Sequence, residues 1–323
     1  MKASSTPAVE RPGAGSGPGS GAGRLWVGLL PWLWMLSFFV LPFALIVNVS
    51  LSTPELAVPP YVSPFAAEPG ALAFHPDPSA YRRLGEELLA RGPAGAERQY
   101  LAAFANSLLL ASLATLCCLL IGYPFAYHIA RARASARNTL LMLVMLPFWT
   151  SFLLRVYAWM GLLDSSEVGL INQVLLALGV VAEPLPLLYN GGAVLVGMVY
   201  SYLPFMVLPL YANLVKLDLR LLEAARDLGA RPSIAFLRVT LPLSRRGIVA
   251  GSMLVFVPAV GEFVIPDLLG GGAVLTIGRR IWDDFGPNQD WPMAAAVAVL
   301  MVLMLIAPIM LLHRHGRAHE DGP

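Results

Sequence analysis

Charge is scarce in this chain. Of 323 residues only 13% are Asp, Glu, Lys or Arg, while 57% are hydrophobic. A soluble domain carries about twice that share of charge. The composition therefore excludes a soluble enzyme and a nucleic-acid reader, and the mean hydropathy of +0.67 points to an integral membrane protein. Cysteine is almost absent. Cys117 and Cys118 are adjacent inside an apolar run, which excludes a metal-ligand spacing and disfavours a bridge. They read as apolar filler. There is no G-x-x-x-x-G-K-[ST] phosphate loop, no Ser/His/Asp arrangement and no metal cluster. No catalytic residue, metal site or cofactor is expected in this chain. His313, His315 and His319 fall in a basic tail and read as solvated charge.

What the chain does have is long apolar runs. A membrane-crossing helix needs roughly 20 such residues. Six runs qualify, near 25–47, 101–130, 138–163, 190–212, 246–268 and 293–312. Backbone polar groups cannot go unpaired in lipid, so each is expected to be a helix. The predicted class is an all-α membrane protein with six transmembrane helices. The first run is too long for a signal-peptide core and reads as an uncleaved span. Residues 1–24, rich in Gly, Ala, Pro and Ser, are expected to be a disordered tail. The transmembrane domain is then 25–312, with an outer loop at about 50–100, a cytoplasmic segment at about 213–245, and a second tail at 313–323.

Basic residues set the orientation. With the N-terminus inside, fifteen Lys and Arg fall on the inner segments and six on the outer ones, and Arg155 lies within a span. The positive-inside rule then places both termini in the cytoplasm of a multi-pass plasma-membrane protein. Acids run the other way: thirteen outside, six inside, and Glu262 in a span. An acidic outer face favours a cationic solute; equally, acids simply solvate extracellular loops. Within the outer loop, "PSAYRRLGEELLARG" predicts an amphipathic helix starting after Pro78 and stopping at Gly92. It could meet an outside partner or pack on its own helices.

Between the fourth and fifth runs lies an alanine-rich, charged stretch, Leu221 to Gly251. Asp218 suits a helix N-cap, Gly229 a left-handed helix end, and Pro232 the first turn of a second helix. That second helix should carry Ile234, Phe236 and Leu237 and close at Leu241-Pro242. The expectation is a two-helix elbow on the cytoplasmic face, tied to spans at both ends. Its order is E-A-A, three residues, Gly, nine residues, a hydrophobe, one residue, Leu-Pro. Here those are Glu223, Ala224, Ala225, Gly229, Val239, Leu241 and Pro242. This resembles the EAA loop of ABC importer permeases, which more often carry Ile where Val239 stands. The segments "WTSFLLRVYAWMGLL", "YLPFMVLPLYANL", "AGSMLVFVPAVGEFVIPDLLGG" and "DWPMAAAVAVL" are similar to the polyamine-type permeases, so the likeness covers the chain from about residue 25.

The resemblance implies a type I importer fold and a set of partners. These are a second homologous permease, two cytosolic ATPase subunits that bind ATP and Mg, and a soluble binding protein outside, all around a chain embedded in membrane lipid. It assigns Glu223, Ala224, Ala225 and Gly229, with Leu241 and Pro242, to coupling with the ATPase. It implies a polyamine solute, putrescine before spermidine. The alternatives are another small solute or, from a different class, an ion-coupled secondary transporter.

Residues for the path come from depth and kinks. A carboxylate inside a bilayer costs several kcal/mol unless paired or hydrated. Glu262 lies about 16 residues, ~24 Å, into its run, among Pro258, Gly261 and Pro266, where the helix should open. Glu262, with Asp267 at the outer mouth, is a candidate to attract an ammonium. The competing reading pairs Glu262 with Arg155. Trp149 and Tyr157 are candidates to face a cation, although such rings also anchor helices at the membrane surface.

Overall fold

The computed structural model describes residues 29, 31–68, 71–89 and 99–317, the backbone alone being described at 66–68, 71–73, 307–309 and 311–317. Both expected tails, except the backbone of 313–317, lie outside the described residues, as does His319.

Among the described residues, all six apolar runs are mainly helical. Three are continuous and long enough to cross a membrane: α1 (Pro31–Ser50), α3 (Gln99–Arg131) and α7 (Gly191–Leu214). The run at 138–163 is not one helix. It folds as α4 (Ala134–Met145), a tight turn over Leu146–Trp149, and α5 (Phe152–Leu163), with an 89° bend between the halves. Pro147 starts the tight turn, and Thr150 leaves it extended with ψ 151°. The run at 246–268 is also broken: α10 (Arg245–Val260) stops at Gly261, and α11 (Val264–Gly270) restarts after it. The last run lies in α13 (Trp291–Arg317). Among the described residues, up to five spans pass by length and composition when Ala134–Trp149 with Phe152–Leu163, and Pro232–Leu243 with Arg245–Val260, are each counted as one bent span.

Residues 1–46 and 47–323 form separate units. In the first, α1 presents exposed Trp32, Trp34, Phe38 and Phe39, a surface suited to lipid. A π turn over Leu36–Val40 precedes Leu41-Pro42. The same device recurs in the second unit, where a π turn over Phe236–Thr240 precedes Leu241-Pro242. Proline clashes with the carbonyl four residues back, and the wider turn moves that carbonyl aside.

The core of the second unit is α3, α7 and α10 packed pairwise on one another. Small residues let their backbones approach, as in membrane bundles generally. A Cβ on Gly251 would stand 2.8 Å from Met206 Sδ and 3.1 Å from its carbonyl oxygen. A Cβ on Gly247 would stand 2.8 Å from Cβ of Asn213. Pro124, Pro204, Pro209 and Pro258 all sit inside these helices, which neighbouring helices make tolerable.

The outer loop is not purely helical. It forms two short antiparallel ribbons, Thr53–Pro54 with Tyr61–Val62 and Phe65–Glu68 with Ala71–Phe74, then α2 (Ser79–Leu89). Asp77 caps α2, accepting from the N–H and hydroxyl of Ser79 at 2.9 Å each. The helix then docks on its own chain. Arg83 forms a forked pair with Asp290 at 2.9 and 3.4 Å, and Glu87 accepts the N–H of Tyr100 at 2.6 Å. Of the two readings of this helix, packing on its own chain is the one seen.

Two outer elements complete the unit: α6 (Leu170–Ala177), and α12 (Ile277–Phe285) packed on α13 and α3. In α12, Asp284 is only 2% exposed. It accepts from Tyr100 Oη at 2.7 Å and Asn288 Nδ2 at 2.9 Å, with Arg280 Nε 3.6 Å away.

Candidate coupling elbow and solute path

The elbow is built as two short helices, α8 (Arg220–Asp227) and α9 (Pro232–Leu243), around Gly229. Asp218 acts one position earlier than expected. Leu219 is the N-cap, and Asp218 Oδ1 accepts the Arg220 N–H at 3.0 Å. Gly229 has φ +82°. Its N–H reaches the Arg226 carbonyl at 2.8 Å, and the Ala230 N–H reaches the Ala225 carbonyl at 3.0 Å. These two bonds are the Schellman closure that a left-handed residue permits. Pro232 opens α9 at its first turn. The helix does not close at Leu241-Pro242, as the sequence suggested. The π turn carries it through Pro242 to Leu243, and it then bends 65° at Ser244 into α10.

The elbow has a buried side and an open one. Leu222 and Ala235 are buried, while Glu223 and Ala224 are exposed and Ala225 is partly so. Leu221, Leu228, Ile234, Leu237 and Leu243 are exposed as well, Leu228 at 89%. The inner side is tied to α3. The Phe236 ring meets Tyr123 and Tyr127 edge-on, at 5.5 and 6.1 Å between centroids. Tyr123 Oη and Ser244 Oγ share a buried 2.8 Å hydrogen bond. Through these contacts a displacement of α9 is felt by a spanning helix.

Glu262 stands at the break between α10 and α11, two residues past the end of the sixteen-residue α10, which is about 24 Å long. Its Oε1 accepts the N–H of Val264 at 3.0 Å and of Ile265 at 3.3 Å, so it caps α11. Its Oε2 accepts the Tyr202 hydroxyl of α7 at 2.5 Å. The carbonyl of Glu262 takes a further bond from Thr276 Oγ1 at 3.3 Å. A Cβ on Gly278 would lie 2.4 Å from the Gly261 carbonyl oxygen, so α12 begins directly against the break.

Arg155 does not pair with Glu262. Its guanidinium lies over the rings of Phe148 and Phe152, at 5.3 and 5.7 Å. Phe148 meets Phe205 at 5.0 Å, and Phe205 meets Tyr202 at 6.3 Å. Arg155 and Glu262 therefore stand at opposite ends of a file of rings. The 89° bend turns α5 and redirects a side chain that a straight span would have aimed elsewhere.

Asp267 is also engaged, since Arg279 Nη1 bonds its Oδ1, and Arg279 Nε lies 3.4 Å from Asp283. Its attraction for an outside cation is correspondingly reduced. Trp149 is 72% exposed and Tyr157 54%, and neither hydrogen-bonds to Glu262 among the described residues. The sequence reading missed Tyr202, Thr276, Gly278 and the Tyr100–Asp284 pair. A hydroxyl-bearing Tyr-Ser-Tyr inside an apolar run was the available signal for the first of these.

A helical bundle with one apolar run broken at Gly261 and a bent helix pair tied to the helix before that break defines a class: the multi-pass membrane protein. The chain belongs to the family of binding-protein-dependent transport system inner membrane components, whose model matches residues 25–317. It is 44% identical to the spermidine/putrescine transport system permease protein PotB of Haemophilus influenzae over 212 residues, 66% of this chain and 73% of that one. To PotB of Escherichia coli K12 it is 42% identical over 218 residues, 68% of this chain and 78% of that one. Among solved structures, a bacterial alginate ABC transporter bound to its pentasaccharide-loaded periplasmic protein gives a TM-score of 0.65 at 16% identity, covering 93% and 96% of the two chains. That likeness establishes the fold. The protein is thus a multi-pass inner-membrane ABC permease subunit, not itself catalytic, and ATP is bound by partner ATPase subunits.

Proposed function

We propose that this chain forms one half of the membrane path of a polyamine importer, with putrescine ahead of spermidine as its solute. Its partners are a second homologous permease, two ATPase subunits and a periplasmic binding protein. The observation that carries the reading is Glu262, a carboxylate at a helix break about 24 Å along the span, whose three donors, Tyr202 and two backbone amides, are all neutral. Transport sites favour such breaks, and an acid in an apolar run with no basic side chain bonded to it among the described residues suits an ammonium. The kinship to permeases named for spermidine and putrescine supports the same solute class.

Transport runs by alternating access. ATP closes the ATPase pair, and the elbows docked on it through Glu223, Ala224, Ala225 and Gly229 move inward together. Phe236 and Ser244 pass that movement to Tyr123 and Tyr127, and the path opens to the loaded binding protein. Release of ADP and phosphate returns it inward. Leu241 and Pro242 hold the far end of the elbow at its π turn, and Trp149 and Tyr157 are surfaces for the partner permease or the passing cation.

The test is Glu262→Gln in the reconstituted complex, measuring uptake of labelled putrescine and spermidine beside ATP turnover. The amide oxygen can still cap α11, so the complex should assemble, yet uptake should fall at least tenfold. Unchanged uptake of both amines would overturn the pathway role. Uptake by this chain alone, driven by an ion gradient, would favour the secondary-transporter reading instead.

A further inference from the structure

The two oxygens of Glu262 are held differently. Oε1 is bonded by the Val264 and Ile265 amides, which belong to α11 and travel with it. Oε2 is bonded by the Tyr202 hydroxyl, which belongs to α7. Tyr202 is 7% exposed and packs beside Phe205, and Glu262 is itself partly buried, so the phenol is the side-chain donor already in place at Oε2. Any relative movement of α7 and α10–α11 must break this bond before it breaks the other two. An unsatisfied carboxylate at that depth is costly, so a solute ammonium leaving Oε2 needs a successor.

We propose that Tyr202 is a positioning residue for the solute site: its hydroxyl occupies Oε2 of Glu262 while the site is empty, yields it to the solute's ammonium, and takes it back on release. The proposal rests on Glu262 lining the path. It gives the site a way to empty. With the phenol present, departure of the ammonium exchanges one donor for another. Without it, departure leaves Oε2 of a partly buried carboxylate without its side-chain donor, so the solute is held longer. Hydrogen bonds to charged groups are strong enough for the effect to reach about tenfold. Tyr202 thereby weakens retention and speeds turnover.

The experiment uses the complete complex in nanodiscs with radiolabelled putrescine. Its readouts are equilibrium retention, dissociation rate, and kcat and KM for uptake with saturating binding protein. Tyr202→Phe should slow dissociation about tenfold and lower kcat and KM together, with assembly unchanged. Difluorotyrosine at position 202, a stronger donor of the same shape, should do the reverse and weaken retention; this arm decides the matter if the Phe variant fails to assemble. Tyr202 variants that leave dissociation and kcat as in the parent, while Glu262→Gln abolishes retention, would overturn the proposal and leave the pathway role standing. Full retention by Glu262→Gln would overturn both.

Discussion

Gly229 offers the sharpest test of the elbow, because its substitution perturbs backbone conformation and nothing else. The residue sits at φ +82°, and a Cβ added there would meet no atom within 4 Å. No clash contributes to the cost of Gly229→Ala, which is wholly that of holding an L-residue in the left-handed region, about 1–2 kcal/mol. If the chain relaxes instead, it gives up the Gly229-to-Arg226 and Ala230-to-Ala225 hydrogen bonds that close α8. Either way the balance between formed and unformed elbow shifts by a factor of roughly 5–30. Gly229→Val should be worse, since β-branched residues fit this region poorly, and Gly229→Asn should recover much of the loss. The assay is uptake per ATP hydrolysed in proteoliposomes, alongside the amount of ATPase subunit that co-purifies. Both should decline in the order Gly, Asn, Ala, Val. If Ala and Val leave both as they were, the bend does not transmit the ATPase movement and the coupling role of Glu223 to Gly229 goes with it.

Three further outcomes are expected. Gly278→Ala sets a Cβ 2.4 Å from one backbone oxygen and 2.9 Å from another, at Gly261 and Glu262. Backbone cannot swing aside as a side chain can, so uptake should drop tenfold or more while the elbow still binds ATPase. Asp284→Ala removes the acceptor shared by Tyr100 and Asn288 and strips Arg280 of its neighbouring charge; breaking a buried charged pair costs about 3–5 kcal/mol, read as a lowered unfolding temperature in detergent. Asp77 is held below the usual carboxyl value of 3.8, chiefly by the backbone N–H of Ser79. A depressed folded value means its cap on α2 is whole above that pH and is lost as pH falls below it. Protection of the Ser79–Leu89 amides, taken relative to the intrinsic exchange rate at each pH, should therefore fall below pH 4 and stay flat from 5 to 8, and Asp77→Asn should flatten the response.

The sequence alone determined the class and the elbow, because both are local. Twenty apolar residues in a row have few other places to go, and Gly229 with Pro232 dictates a bend through its own backbone preferences. Depth was legible too: Glu262 was marked by where it falls in its run. Its partners were not. Tyr202 lies 60 residues away and Arg279 is 12 residues from Asp267, and only the packing of α7 and α12 around the break brings them in. Arg155 and Glu262 looked like natural partners because opposite charges in a membrane seek each other. The 89° turn after Trp149 decided otherwise, aligning the Phe148 and Phe205 rings between them. Similarly, Leu241-Pro242 read as a helix end by local rule, and a π turn carried the helix past it. A backbone preference acts within a turn and is visible in the order of residues. The identity of the group facing a buried charge depends on how distant helices bend and pack, and that is decided in three dimensions.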